Sequence, residues 1–144
     1  MVRSYNWANG GAADAGAVTW LSGAGPFTGV VSASNSLVGS AAGDLAGYAM
    51  VAALSDGNYV VHSPFWDNGG TLDAGAVTPA DGSFGAGGPI LAQNSVLGTV
   101  AAAGNSMVFG YDAARRRVAV GRPASNRVNL ITVPTQLIFA DGFE

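Results

Sequence analysis

The residues that could carry nucleophilic or acid–base chemistry are few in this sequence. His62 is the one histidine and stands beside Ser63, a pair of residue types that a hydrolase uses as base and nucleophile. Neighbouring residues on a strand point to opposite faces, so these two side chains are not placed to exchange a proton. We therefore predict that His62 is an ordinary surface histidine.

Aspartates provide the carboxylates that a glycosidase would use as an acid and a base. The five candidates, each beside Gly, Ala or Asn in a turn-like sequence, are Asp14, Asp67, Asp73, Asp81 and Asp112. Aspartate at such places hydrogen-bonds its own backbone, so we predict turn residues. Cysteine and lysine are absent from the sequence, which excludes thiolate chemistry, Cys-based zinc sites and a phosphate-binding loop. The sequence predicts no catalytic residue and no cofactor.

The elements that position these residues belong to a repeat. At an offset of about 59 residues the chain aligns on itself without gaps. The aligned segments are 2–11 with 61–70, 14–19 with 73–78, and 59–64 with 118–123. We predict a single repeat domain over residues 1–144, with copies at 2–60, 61–119 and a partial third copy with a C-terminal tail at 120–144.

Each period predicts four short strands, because Val, Tyr, Thr and Ile gather in runs bounded by Gly, Asn, Asp and Pro. In the second copy the predicted strands are residues 48–54, 59–66, 74–79 and 89–97. Asp56-Gly57 supplies a hairpin turn between the first two strands. The alanine-rich stretch near Ala101 is also compatible with a helical turn. A further hairpin is predicted between residues 107–111 and 118–121.

Four short strands at a period near sixty are typical of a propeller blade. Over about one and a half blades the sequence also resembles the FG-GAP repeats of integrin-type β-propellers, since Ala15-Gly16-Ala17-Val18 and Ala74-Gly75-Ala76-Val77 are similar to one strand of that family. Ala46-Gly47 keeps the glycine of its Phe-Gly pair, and Pro64 the proline of its Gly-Ala-Pro triplet. We expect an all-β, propeller-like repeat of four-stranded antiparallel sheets, with about two and a half to three blades.

The resemblance does not extend to the calcium site of that family. FG-GAP calcium loops carry several alternating aspartates, because a hard cation needs six to eight oxygen ligands. This chain offers only Asp56-Gly57-Asn58, with Asp44 well upstream. The sequence therefore resembles a degenerate FG-GAP repeat without the calcium loop, and we predict no metal site.

Repetition separates packing residues from candidates for ligand binding. Trp7 and Trp66 occupy equivalent positions, so we predict that they pack between blades. The position equivalent to Trp20 in the next copy is occupied by Pro79. We therefore predict that Trp20 is exposed and stacks on a sugar ring or a peptide side chain.

Basic residues gather near the end of the sequence. The formal net charge is −3, yet every arginine except Arg3 lies in the last quarter. The run Arg115-Arg116-Arg117 is the second candidate ligand-binding feature, because guanidinium groups pair with carboxylates and phosphates. The alternative is a solvated hairpin whose arginines protect an edge strand. An acidic chain with a short basic cluster lacks the footprint of a nucleic-acid-binding domain, so we predict no nucleic-acid partner.

Composition and blade number bear on location and partners. The lysine-free, Gly- and Ser-rich sequence and the ending Leu137–Glu144, similar to tails of some secreted Gram-negative proteins, indicate an extracellular or cell-surface protein. No signal peptide is visible, so we expect the leader and earlier repeats to lie outside this sequence. No apolar run approaches the roughly 20 residues of a membrane span, so we predict no membrane insertion. Fewer than three blades leave edge strands unpaired, so we expect self-association or further repeats of a longer chain.

These observations favour a non-enzymatic secreted or cell-surface β-repeat module for adhesion or ligand binding, with a protein or glycan as ligand. One alternative is a purely structural segment that caps or extends a longer propeller. The other is a carbohydrate-active enzyme or a lectin-like sugar binder. An enzyme would require a cleft that gathers two of Asp14, Asp73, Asp112 and His62.

Overall fold

The computed structural model describes residues 1–134, and over that range the chain is all-β. The strands are β1 (Val2–Ser4), β2 (Ala17–Thr19), β3 (Ser36–Val38), β4 (Met50–Ala53), β5 (Tyr59–Ser63), β6 (Ala76–Ala80), β7 (Gly88–Pro89), β8 (Val96–Leu97), β9 (Val108–Asp112), β10 (Arg117–Arg122) and β11 (Arg127–Thr132). Two single-turn 3-10 segments, Gly104–Ser106 and Pro123–Ser125, are the only helical residues in this range, and neither is long or apolar enough to cross a membrane.

The strands form three sheets. The first has the order β1-β2-β3-β7, the second β4-β5-β6-β8 and the third β11-β10-β9. Every pairing is antiparallel except that of β3 with β7, which is parallel. The second sheet is therefore the four-stranded antiparallel sheet that the sequence predicts. The third sheet has three strands within the described residues, as expected for a partial last blade. The prediction of an antiparallel sheet is wrong for the first sheet, because its fourth strand, β7, comes from the following copy and runs parallel to β3.

The copies fold alike in their hydrogen bonds as well as their strands. The hydroxyls of Thr19 and Ser36 lie 2.8 Å apart across β2 and β3, and those of Thr78 and Ser95 lie 2.7 Å apart at the same offset. A further hydrogen bond recurs in both copies. The side-chain amide of Asn9 donates to the Gly39 carbonyl, and that of Asn68 donates to the Gly98 carbonyl, both at 2.9 Å. The repeat in the sequence is thus a repeat of structure.

The second sheet lies between the other two and is buried on both faces. Tyr59 and Val61 of β5 belong to the apolar cluster shared with the first sheet, whereas Val60 belongs to the cluster shared with the third sheet. Successive residues of a strand point to opposite faces, so all five residues of β5 and all five of β6 are buried. This double burial explains why their sequences are continuously apolar rather than alternating.

The predicted strand over residues 89–97 is wrong. Its beginning, β7, pairs with β3 of the first sheet, and its end, β8, pairs with β6 of the second. Between them, the Asn94 side chain accepts a hydrogen bond from the Leu91 amide at 2.9 Å and donates one to the Pro89 carbonyl at 3.0 Å, which makes a turn. Pro89 has no N–H to donate, which confines it to an edge strand such as β7.

The hairpin predicted near the arginine run is confirmed, because β9 and β10 pair with Tyr111 opposite Val118. The alanine-rich stretch near Ala101, for which the sequence also allows a helical turn, leads into the 3-10 turn Gly104–Ser106. In the third sheet the connection between β10 and β11 is residues 123–126. The equivalent connection in the second sheet, between β5 and β6, is longer and runs over residues 64–75. The C-terminal tail Leu137–Glu144 lies outside the described residues.

Candidate functional site

A groove of about 310 Å³ opens between the β2–β3 loop, residues 20–35, and the β6–β7 loop, residues 81–87. We call it the aromatic groove, and none of the described residues that line it is charged; they include Trp20, Ser22, Phe27, Asn35, Phe84 and Gly87. Phe27 is 57% exposed and Phe84 is 37% exposed. The groove therefore presents aromatic surface to solvent beside hydroxyl and amide groups.

Trp20 follows β2 directly and is held by contacts from the second copy. Its indole Nε1 donates a hydrogen bond to the Gly82 carbonyl at 3.0 Å. A Cβ at Gly85, where the backbone φ is +81°, would overlap the Trp20 side chain, so the loop needs glycine there. The sequence predicts an exposed Trp20, but the structure places it half-buried, with its N–H already bonded. One side of the groove is therefore rigid.

The polar groups of the aromatic groove hold its loop in shape. The Asn35 side chain accepts a bond from the Ser32 amide at 3.0 Å and donates one to the Val30 carbonyl at 2.9 Å. The Ser22 hydroxyl accepts a bond from the Ala24 amide at 3.4 Å. Its own proton is available to a ligand.

The aromatic side chains of the groove do not belong to the repeated pattern. At the offset of about 59 residues, the counterparts of Trp20, Phe27 and Phe84 are Pro79, Ala86 and Gly25. The repeated Trp66, in contrast, is buried in the core between the first two sheets, as predicted. Sequence reasoning missed Phe27 and Phe84, although aromatic residues without a counterpart, in glycine-rich loops, were the available signal.

The three consecutive arginines have three different surroundings. Arg115 pairs with Asp112 at 3.0 Å between Nη1 and Oδ2. Arg116 reaches back to Asp81, at 2.8 Å between Nη2 and Oδ2. Arg117 is exposed at the start of β10. That strand is the central one of its sheet, so Arg117 does not protect an edge, and the run shares no lining residue with the aromatic groove.

The bond between Arg116 and Asp81 ties the third sheet to the second. Burial raises the pKa of Asp81, but the Ser83 amide, 2.7 Å from Oδ1, and the Arg116 guanidinium outweigh burial and hold the pKa below its usual value. Asp81 is therefore an ionised turn residue, as predicted for this aspartate. Arg116 is occupied by this structural contact rather than free for a ligand.

A second groove, of about 480 Å³, lies on the outer face of the third sheet. It brings Arg115 and Arg117 beside the apolar side chain of Leu130. It also contains Asp112, but none of the other residues that an enzyme would need to gather there: Asp14, Asp73 and His62. Within residues 1–134 no group of three or more His, Cys, Asp or Glu is placed to hold a metal ion.

His62 is buried, so the prediction of a surface histidine is wrong. Burial lowers the pKa of its imidazole, and this outweighs the opposite effect of the Gly104 carbonyl, 3.0 Å from Nε2. The neutral ring therefore donates from Nε2 to the segment that leads into the third sheet. In the first copy the counterpart Arg3 donates to the Tyr48 carbonyl at 3.3 Å. In both copies the side chain at this position therefore bonds to the segment that leads into the following sheet.

The fold defines a repeat protein of stacked β-sheets whose unrepeated loops form a groove. The chain belongs to the family described as a repeat of unknown function (DUF5650), whose pattern matches residues 1–48 and residues 53–108. The first matched stretch contains β1 to β3, and the second contains β5 to β8. Comparison with curated proteins and with solved structures found no match.

We expect the free energy of unfolding to fall as the pH drops from about 7.5 to about 5.5, because the folded state holds the pKa of His62 below its unfolded value of about 6.5. As the pH falls, the unfolded chain binds a proton at His62 at a higher pH than the folded chain does. The contribution of neutral His62 to the free energy of unfolding is therefore complete above about pH 6.5 and is lost as the pH falls through the folded pKa. Urea unfolding at each pH measures it. In His62→Gln, whose amide can still donate, this dependence should be reduced, and identical slopes in both proteins would contradict the assignment.

Proposed function

We propose that the protein is a non-enzymatic, secreted or cell-surface β-repeat module that binds a neutral carbohydrate in the aromatic groove. The observation that carries the proposal is the convergence of Trp20, Phe27 and Phe84 from two loops, although none of them belongs to the repeated packing pattern. Loops on a rigid scaffold are where binding residues concentrate. Side chains that every copy needs for packing are not free for this purpose.

The chemistry of the aromatic groove favours a hydroxylated ring as ligand. Aromatic rings offer large apolar faces to the C–H face of a sugar, and the Ser22 hydroxyl can bond to a sugar hydroxyl. Because none of the lining residues within 1–134 is charged, those residues offer an ionic ligand no counter-charge. The volume of about 310 Å³ lies at the lower end of the range of about 300–1,000 Å³ for small-molecule sites, which suits a short saccharide.

A glycan array probed with the full chain should identify a neutral oligosaccharide, and titration calorimetry should give its affinity. We expect Phe27→Ala and Phe84→Ala each to weaken binding at least about fivefold, because truncating an aromatic anchor costs about 1 kcal/mol or more. Leu72→Ala is the matched control, since Leu72 is 63% exposed and lies outside the groove. Binding that survives both groove substitutions unchanged, or no binding to any neutral glycan, would contradict the proposal and favour the purely structural segment.

We further propose that the sheets form part of a propeller-like arc, similar to FG-GAP repeats, that is completed by self-association. The outer face of the third sheet supports this, because Val128 is 72% exposed and Leu130 is 65% exposed. Val128 pairs with Gly121 in the third sheet, and Val77 pairs with His62, the counterpart of Gly121, in the second. By this strand register Val77 corresponds to Val128, and Val77 is fully buried in the apolar cluster shared with the third sheet. An apolar face of this kind is a common interaction surface.

Light scattering of the full chain tests self-association. We expect a mass that rises with concentration to a multiple of 14.3 kDa, because burial of the outer face of the third sheet drives association. Val128→Asp should shift the particle towards the monomer, whereas Leu72→Asp, which changes an exposed leucine elsewhere, should not. A strictly monomeric chain at all concentrations would rule out self-association.

A further inference from the structure

The edge of β3 is completed by a strand from the following copy. β7 lies parallel to β3, and the Gly88 amide donates to the Ala33 carbonyl at 2.7 Å. The Ile90 amide, just beyond β7, donates to the Val38 carbonyl at 3.2 Å. The Ile90 side chain is 1% exposed in the core between the first two sheets. An extended Gly-Pro-Ile segment therefore covers this edge, because its backbone amides bond to carbonyls along the edge and its Ile90 side chain packs in the core.

The second sheet has the same edge without such a strand. β8 is the counterpart of β3, and among the residues that the structure describes no strand pairs with its outer side. A groove of about 400 Å³ runs along it instead, which we call the β8 groove. Its walls include Gln93 and Val96 from the β8 side and Ile131 from β11. Within residues 1–134, one copy of this edge is thus filled and the other is open.

The Arg122 side chain makes one of the hydrogen bonds that a strand on the outer side of β8 would make. Its Nη1 donates to the Leu97 carbonyl at 2.7 Å, and that carbonyl is the counterpart of the Val38 carbonyl that accepts from Ile90. Its Nε donates to the Asn129 side chain at 3.1 Å. A side chain can rotate away from an acceptor, whereas β7 is held by the chain on both sides. The acceptor at the centre of the β8 groove is therefore covered by a movable group.

We propose that the β8 groove binds an extended Gly-Pro-aliphatic segment of a partner polypeptide as a parallel strand on β8. The amide of the aliphatic residue replaces Arg122 as the donor to Leu97, and its side chain enters beside Val96, as Ile90 does in the first core. Strand addition at an open sheet edge gives affinity through main-chain hydrogen bonds and selectivity through the side-chain pocket. Proline is accepted because an edge strand needs no N–H on its outer side.

The probe is a capped pentapeptide with the sequence of residues 87–91, Gly-Gly-Pro-Ile-Leu, titrated into the isotope-labelled full chain. We expect saturable amide shifts confined to residues 92–97 and the neighbourhood of Arg122. Arg122→Ala should raise the affinity about tenfold, because the peptide no longer displaces a charge-assisted hydrogen bond. Arg117→Ala, which removes the same charge from the other end of β10, should leave the affinity unchanged. A control peptide with aspartate in place of isoleucine should not bind.

The absence of saturable shifts up to about 1 mM peptide, or shifts elsewhere, would overturn the proposal. Nuclear Overhauser contacts between β8 and residues 135–144 in the free chain would overturn it too, because the protein's own residues would then fill the groove. The titration of the unmodified chain decides the question even where Arg122→Ala does not fold. The β8 groove and the aromatic groove share no lining residue, so either proposal can fail alone.

Discussion

The burial of the second sheet on both faces is the constraint on which the rest of the structure depends. Val60 packs towards the third sheet and Val61 towards the first, so neither neighbour can leave without exposing apolar side chains. Each valine returned to water costs about 1.5–3 kcal/mol, and β5 and β6 carry several apolar residues on each face. The copies must therefore stack, and contacts such as those of Arg3, His62 and Arg116 fix how they do so.

Stacking requires the repeated residues for the scaffold, so the binding site that we propose for the aromatic groove lies in residues that are not repeated. The aromatic groove depends on Phe27 and Phe84, which have no aromatic counterpart in the other copy. The β8 groove lies along the edge that β7 covers in the first sheet and that no described strand covers in the second. Arg116 shows the converse, since a conspicuous charge in the sequence is used to join sheets. In this molecule the position within the repeat separates scaffold residues from loop residues better than residue type does.

Local pattern predicts much of this fold and little of its sites. The offset of about 59 residues, the hairpin before Tyr59 and the hairpin after Val108 are visible in the sequence because strand pattern and turn chemistry are local. The division of residues 89–97 between two sheets is not visible, since the partner of β7 lies in another copy. The burial of His62 depends on Gly104, and the aromatic groove on two loops meeting. Such contacts between distant segments carry no local signal.

Amide hydrogen exchange of the native chain tests the central claim, that the middle sheet is stable because it is covered on both faces. β5 and β10 are both interior strands of their sheets, but among the described residues of a single chain only β5 has neighbours on both faces. The exchange is therefore measured at a concentration at which light scattering shows a monomer. We expect the hydrogen-bonded amides of β5 to exchange at least about tenfold more slowly than those of β10, since the third sheet can open first. Exchange in β10 as slow as in β5, or slower, would contradict the account.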